Sequence, residues 1–171
     1  MPTEFRLEIF FEQEQDKDFA EKEAEKLLTL VTKLAPHINL RIKVQKASRT
    51  YKEGDIPVHD PIEEGSQTLL ITHEEFGPEE GRANREGRAG SEKGCLSKQK
   101  MVEKERKGGN SADITIHEWL HTIAGKTING REIPHPHQNA SYGFSENTAT
   151  KGPNGAYRWY NWYRYILREY P

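Results

Sequence analysis

The sequence predicts an α+β domain: a mixed, twisted sheet, one backing helix, a second helix carrying a cluster of ionisable side chains, and an aromatic-rich helix near the C-terminal end. Three observations carry this. Apolar residues alternate over 5–12 and again over 38–46, the period of half-buried strands. Between them, residues 16–35 repeat at helical spacing. A short continuous apolar run at 68–72 lies between turn signals, as a central strand would. The 171 residues suit one domain spanning 1–171.

Taken in order, Phe5, Leu7, Ile9 and Phe11 share one strand face, with Arg6, Glu8 and Glu12 largely on the other. Ala20, Ala24, Leu27, Leu28, Val31 and Leu34 make the stripe of an amphipathic helix that stops before Pro36. Ile38, Leu40, Ile42 and Val44 alternate with polar residues, so strand, helix and strand form a crossover unit. Residues 48–66 read as a long polar loop, and the Gly-rich, charged stretch 77–94 as an exposed, mobile one. A weak strand signal runs from Cys95 to about Glu103. After Lys107-Gly108-Gly109-Asn110, a helix with Ser111 or Asp113 as N-cap carries Ile114, Ile116, Leu120 and Ile123 on one stripe, with Gly125 at its C′ position. From Lys126 to about 156 the chain reads as loop. The aromatic run from Tyr157 to Leu167 then reads as a helix that packs on the core.

Composition narrows the function classes. Lys and Arg number 25 against 27 Asp and Glu, a net charge of −2, which gives no electrostatic case for nucleic acid or an anionic membrane. No apolar run reaches membrane-spanning length and no signal-type segment opens the chain, so a soluble monomer is expected, cytoplasmic or a mature secreted form. The single cysteine, Cys95, rules out an intrachain disulfide and a Cys-based zinc site; a small buried residue is expected there.

The chemistry concentrates in His117-Glu118-Trp119-Leu120-His121. Two histidines four apart lie on one helix face, one turn from each other, so both imidazoles can point at one metal ion. Glu118 lies next to the first. In the H-E-x-x-H pattern the histidines bind zinc and the glutamate is the general base of a peptidase. The plain alternative is a helix with two satisfied histidines. Against it stand the missing charged face, the glycine stop and the His-Pro-His cluster downstream. A catalytic zinc needs a third protein ligand, and Glu132, His135, His137 and Glu146 are the candidates. Trp119 is expected in the core, and His37, His59 and His73 are expected to have no role at the site.

The run Pro134-His135-Pro136-His137, then Tyr142-Gly143-Phe144, then a Trp/Tyr-rich end, resembles zincin-like proteins that carry H-E-W-L-H, P-x-x-H and Y-G-[YF] over roughly 110–170. That resemblance implies a zincin-type fold, Zn²⁺, His137 as third ligand beside His117 and His121, and Tyr142 as a conspicuous aromatic nearby. Tyr142 is then read either as a second catalytic group beside Glu118, an oxyanion stabiliser or fifth ligand, or as a packed aromatic with a satisfied hydroxyl. The chain departs from the metzincin pattern: Thr127 stands where the third histidine would be, and no methionine follows the motif. The expected activity is hydrolysis of a peptide or protein substrate, with residues 68–76 as the strand edge along the cleft. A non-catalytic scaffold or metal-stabilised binding module is the alternative.

Overall fold

The computed structural model describes residues 4–48, 58–73, 81–83, 93–128, 130–136 and 155–168. Strand β1 (Glu4–Phe11) leads through a 3₁₀ turn at Glu14–Asp16 into helix α1 (Lys17–Leu34), which returns to β2 (Asn39–Lys46). The two strands pair in parallel, Leu7 opposite Ile42 and Ile9 opposite Val44, so the expected crossover unit is present. Strands β3 (Gln67–Thr72), β4 (Gly81–Ala83) and β5 (Lys93–Ser97) complete the sheet. Among the described residues its order is β2-β1-β3-β5-β4, with four parallel strands and β4 antiparallel on β5. The mixed sheet with helices packed on it is thus observed. The sheet is mostly parallel, an α/β arrangement rather than segregated α and β.

The sheet has unequal faces. Phe5, Leu7, Ile9, Phe11, Leu69, Ile71 and Leu96 meet α1 and helix α3 (Ala112–Ile123), and the C-terminal helix α4 (Gly155–Arg168) joins the same core through Trp162, Tyr163, Ile166 and Leu167. The opposite face holds the small cluster of Phe10, Leu70 and Cys95, and the His59 ring stacks on Phe10 at 3.8 Å. Cys95 is buried, as expected. Burial on both faces is what makes the β3 run continuously apolar.

Several expectations change. Residues 67–72 are internal, with β1 on one side and β5 on the other, so they cannot be the open edge; that edge falls to β4, next to α3 in the fold. The 77–94 stretch is not wholly loop, because β4 and the start of β5 lie within it. The strand signal after Cys95 stops at Ser97, where α2 (Lys98–Arg106) begins. The Ser97 hydroxyl accepts the Lys100 N–H at 3.3 Å, and Met101 is the one buried residue of that charged helix. After α3 the chain folds into a hairpin, β6 (Thr127–Ile128) and β7 (Arg131–Glu132), with Gly130 at φ +78° in its turn. The Asn129-Gly130 dipeptide is the strongest short-range signal for such a turn.

Buried ionic groups tie the elements together. Asp16 is fully buried where the sheet meets α1, and its carboxylate takes Lys98 Nζ at 2.5 Å and His73 Nε2 at 2.7 Å. Burial alone would push its pKa up; the hydrogen bonds from Lys98 and His73 outweigh that and leave it lowered. Glu8, also buried, accepts the backbone N–H groups of Ile62 and Glu63 at 3.0 and 3.2 Å and so pins the connection ahead of β3. No helix among the described residues is long and apolar enough to cross a membrane.

Candidate metal centre

Helix α3 is buried along nearly its whole length, which explains its missing charged face. Trp119 is fully buried and meets the Phe5 ring of β1 edge-on at 5.6 Å, which locks the helix to the sheet. That bears out Trp119 as core. The helix start is held differently from the expected cap. Ser111 occupies the N-cap, but its hydroxyl does not cap; it donates to buried Glu23 of α1. Ser111 N–H donates to the Glu105 carboxylate at 2.9 Å and Ala112 N–H to the Asn110 side chain at 3.0 Å, while Asp113 N–H donates to the Asn110 carbonyl at 3.0 Å. Asp113 in the first turn accepts the Tyr160 hydroxyl of α4. Burial raises the Asp113 pKa, partly opposed by that bond and by Lys104. Burial also raises the Tyr160 hydroxyl, with Asp113 adding to it.

On this frame His117 and His121 turn their Nε2 atoms towards each other, 3.1 Å apart. One nitrogen from each histidine and a carboxylate oxygen of Glu118 lie within 4.8 Å of one another. Two metal–nitrogen bonds of about 2.0–2.1 Å at a tetrahedral angle require nitrogens about 3.3 Å apart. The donor set therefore fits a divalent ion, and the group could hold one. Glu118 and His121 are both below a tenth exposed, while His117 is half-buried. The other nitrogen of His117, Nδ1, lies 2.7 Å from the hydroxyl of Tyr163 on α4.

The downstream histidines depend on how the chain leaves α3. Gly125 takes φ +82°, the left-handed C′ conformation that an L side chain resists. Its N–H donates to the Ile133 carbonyl at 2.8 Å, and the Ile133 N–H donates back to Lys126 at 2.9 Å. These bonds close the β6–β7 hairpin at its base and return Pro134 to the end of α3. His135 thereby reaches His121, with ring centroids 4.4 Å apart at 73°. The indole N–H of Trp162 donates to the Pro136 carbonyl at 2.8 Å and fastens the loop. Thr127, at the metzincin ligand position, is occupied in β6. Glu132 is exposed on β7. His137, Tyr142 and Glu146 lie outside the described residues.

The remaining histidines are engaged elsewhere. His59 is buried; its Nδ1–H donates to the Asp60 carbonyl at 2.6 Å while Nε2 accepts the Ser48 N–H at 3.2 Å. His37 bonds to the Leu167 carbonyl at 2.8 Å, and His73 to Asp16. A pocket of about 460 Å³ lies away from the motif, lined by Lys22, Lys26, Lys33, Asn110 and Tyr160 among others. The residues that sequence reasoning missed at the centre are Tyr163 and Trp162, assigned only to packing. Their spacing in the aromatic run gives no sign of polar partners.

No protein-family model matches the chain, and neither a curated protein nor a solved structure matches it.

Proposed function

We propose that this protein is a zinc-dependent peptidase. The observation that carries the proposal is the convergence of the two Nε2 atoms at 3.1 Å with the Glu118 carboxylate beside them. His117 and His121 supply two ligands. The third comes from the Pro134–His137 loop: His137 on the zincin-like resemblance, with His135 supported as its rival by contact with the His121 ring. A bound zinc ion would lower the pKa of its water towards about 7 and polarise the scissile carbonyl. Glu118 accepts the proton of the attacking water and delivers it to the departing amine, so that cleavage consumes one water and leaves Glu118 unchanged. Tyr142, the nearby aromatic of that resemblance, is the candidate donor to the developing oxyanion. The substrate backbone would pair along β4, the strand at the sheet edge next to α3.

The test is Glu118→Gln, which keeps the side chain's size and removes the base. It should retain zinc by elemental analysis and cut a broad peptide library about 10²–10⁴-fold more slowly than the wild type. Undiminished cleavage by the variant refutes the role of Glu118. A wild type that holds zinc yet cleaves nothing supports the metal-stabilised binding module instead. His135→Ala and His137→Ala, compared for zinc retention, decide the third ligand.

A further inference from the structure

We infer that α4 is the outer shell of the metal centre, with Tyr163 as the positioning residue of His117 and Trp162 as the tether of the third-ligand loop; the inference rests on the metal reading above. Tyr163 is almost fully buried, so its hydroxyl has little access to water. It meets His117 Nδ1 at 2.7 Å, while Nε2 of the same ring faces His121. An imidazole held at Nδ1 has its rotation fixed. When its Nδ1–H donates to the tyrosine oxygen, the ring is the tautomer whose Nε2 carries the lone pair that a metal ligand needs. The next residue towards the N-terminus, Trp162, binds the Pro136 carbonyl between the two candidate loop histidines. Consecutive residues of one helix thus grip the first ligand and the segment that carries the third.

The same helix contains its own control. Tyr160 also bonds a side chain of α3, but at Asp113 in the first turn rather than at a histidine. A helix that merely packed would make the Tyr160 and Tyr163 hydroxyls equivalent for metal binding. An outer shell makes them different.

Tyr163→Phe, Tyr160→Phe and Trp162→Phe would be compared with the wild type in two measurements on the full chain. The first is zinc affinity by competition with a chromophoric chelator. The second is the ¹⁵N shift of His117 Nδ1 in the metal-free protein. Tyr163→Phe should lower zinc affinity about 10–100-fold and move the Nδ1 resonance. Trp162→Phe should lower the affinity and leave that resonance in place. Tyr160→Phe should alter neither. Equal affinities for Tyr163→Phe and the wild type, or equal losses in Tyr163→Phe and Tyr160→Phe, overturn the inference. Unchanged affinity in Trp162→Phe overturns its loop half. A wild type that takes up no zinc refutes the proposed function instead; an Nδ1 resonance unmoved by Tyr163→Phe then overturns the positioning role on its own.

Discussion

Ser111→Ala tests how the motif helix is held. The Ser111 hydroxyl has one hydrogen, and Glu23, buried to 1% exposure, receives it. The same oxygen lies 3.3 Å from Lys26 Nζ and accepts from it. Among the described residues the second carboxylate oxygen of Glu23 has no hydrogen-bond partner, so the carboxylate depends on Ser111 and on Lys26 at 3.3 Å. Removing the hydroxyl deletes a charge-assisted bond worth about 1.5–3 kcal/mol and leaves a buried carboxylate under-satisfied, at a further cost of about 1–3 kcal/mol. A net loss of about 3 kcal/mol is expected, which for a chain of this length lowers Tm by about 6–12 °C. Thermal and urea unfolding at pH 7 would measure it. Because the cost comes from an orphaned charge, replacing both partners should be milder than replacing one. The double variant Ser111→Ala with Glu23→Met is expected to recover at least half of the lost stability. A single-variant loss below about 1 kcal/mol, or a double variant no better than the single, refutes the reasoning.

Glu105 gives a pH prediction at the same junction. The Lys26 hydrogen bond first, then that from the Ser111 backbone N–H, hold its pKa down at about 2 from an ordinary 4.5. A folded-state pKa below the unfolded one means stability that is present above pH 4.5 and lost as pH falls towards 2. Glu105→Gln should flatten the stability profile across that window, and parallel profiles for variant and wild type would count against it. Gly125→Ala places a Cβ at φ +82° and should cost about 1–2 kcal/mol, read as a fall in Tm, whereas an unchanged Tm would rule out strain at that turn. Zinc at about a thousand times its Kd should add about 4 kcal/mol of stability. A chelator should remove that increment and excess zinc restore it; melting indifferent to both is the outcome that refutes metal binding.

Much of the scaffold was legible because single-residue periodicities reported it. Phe5, Leu7, Ile9 and Phe11 alternate because one strand face meets α1, and the Leu27, Val31 and Leu34 stripe turns towards that same face. The histidine pair was legible because helical spacing alone puts positions 117 and 121 on one face. Legibility failed where pairing or a cap decides. Lys98–Arg106 is charged and has one buried residue, Met101, so its helicity rests on the Ser97 cap rather than on a stripe. The position of 67–72 inside the sheet depends on β5 arriving beside it, a long-range pairing that no local pattern encodes. Asn129-Gly130 did carry a hairpin signal, hidden among polar residues that resemble loop. Tyr163 was invisible as a polar partner because the ring it meets, His117, lies 46 residues away on another helix.

That separation has a consequence in time. During synthesis the two motif histidines leave the ribosome together, but the Tyr163 hydroxyl is 46 residues behind His117. At about 5–20 residues per second, the interval is roughly 2–9 s. Trp162 follows Pro136 by 26 residues, so the loop is made well before its tether. Throughout that interval the nascent chain carries both imidazoles without the helix that braces them. If α4 braces a metal centre as inferred above, that centre would be completed only when α4 docks, late and from a distance, and its maturation would follow the folding of the aromatic helix rather than the emergence of the motif.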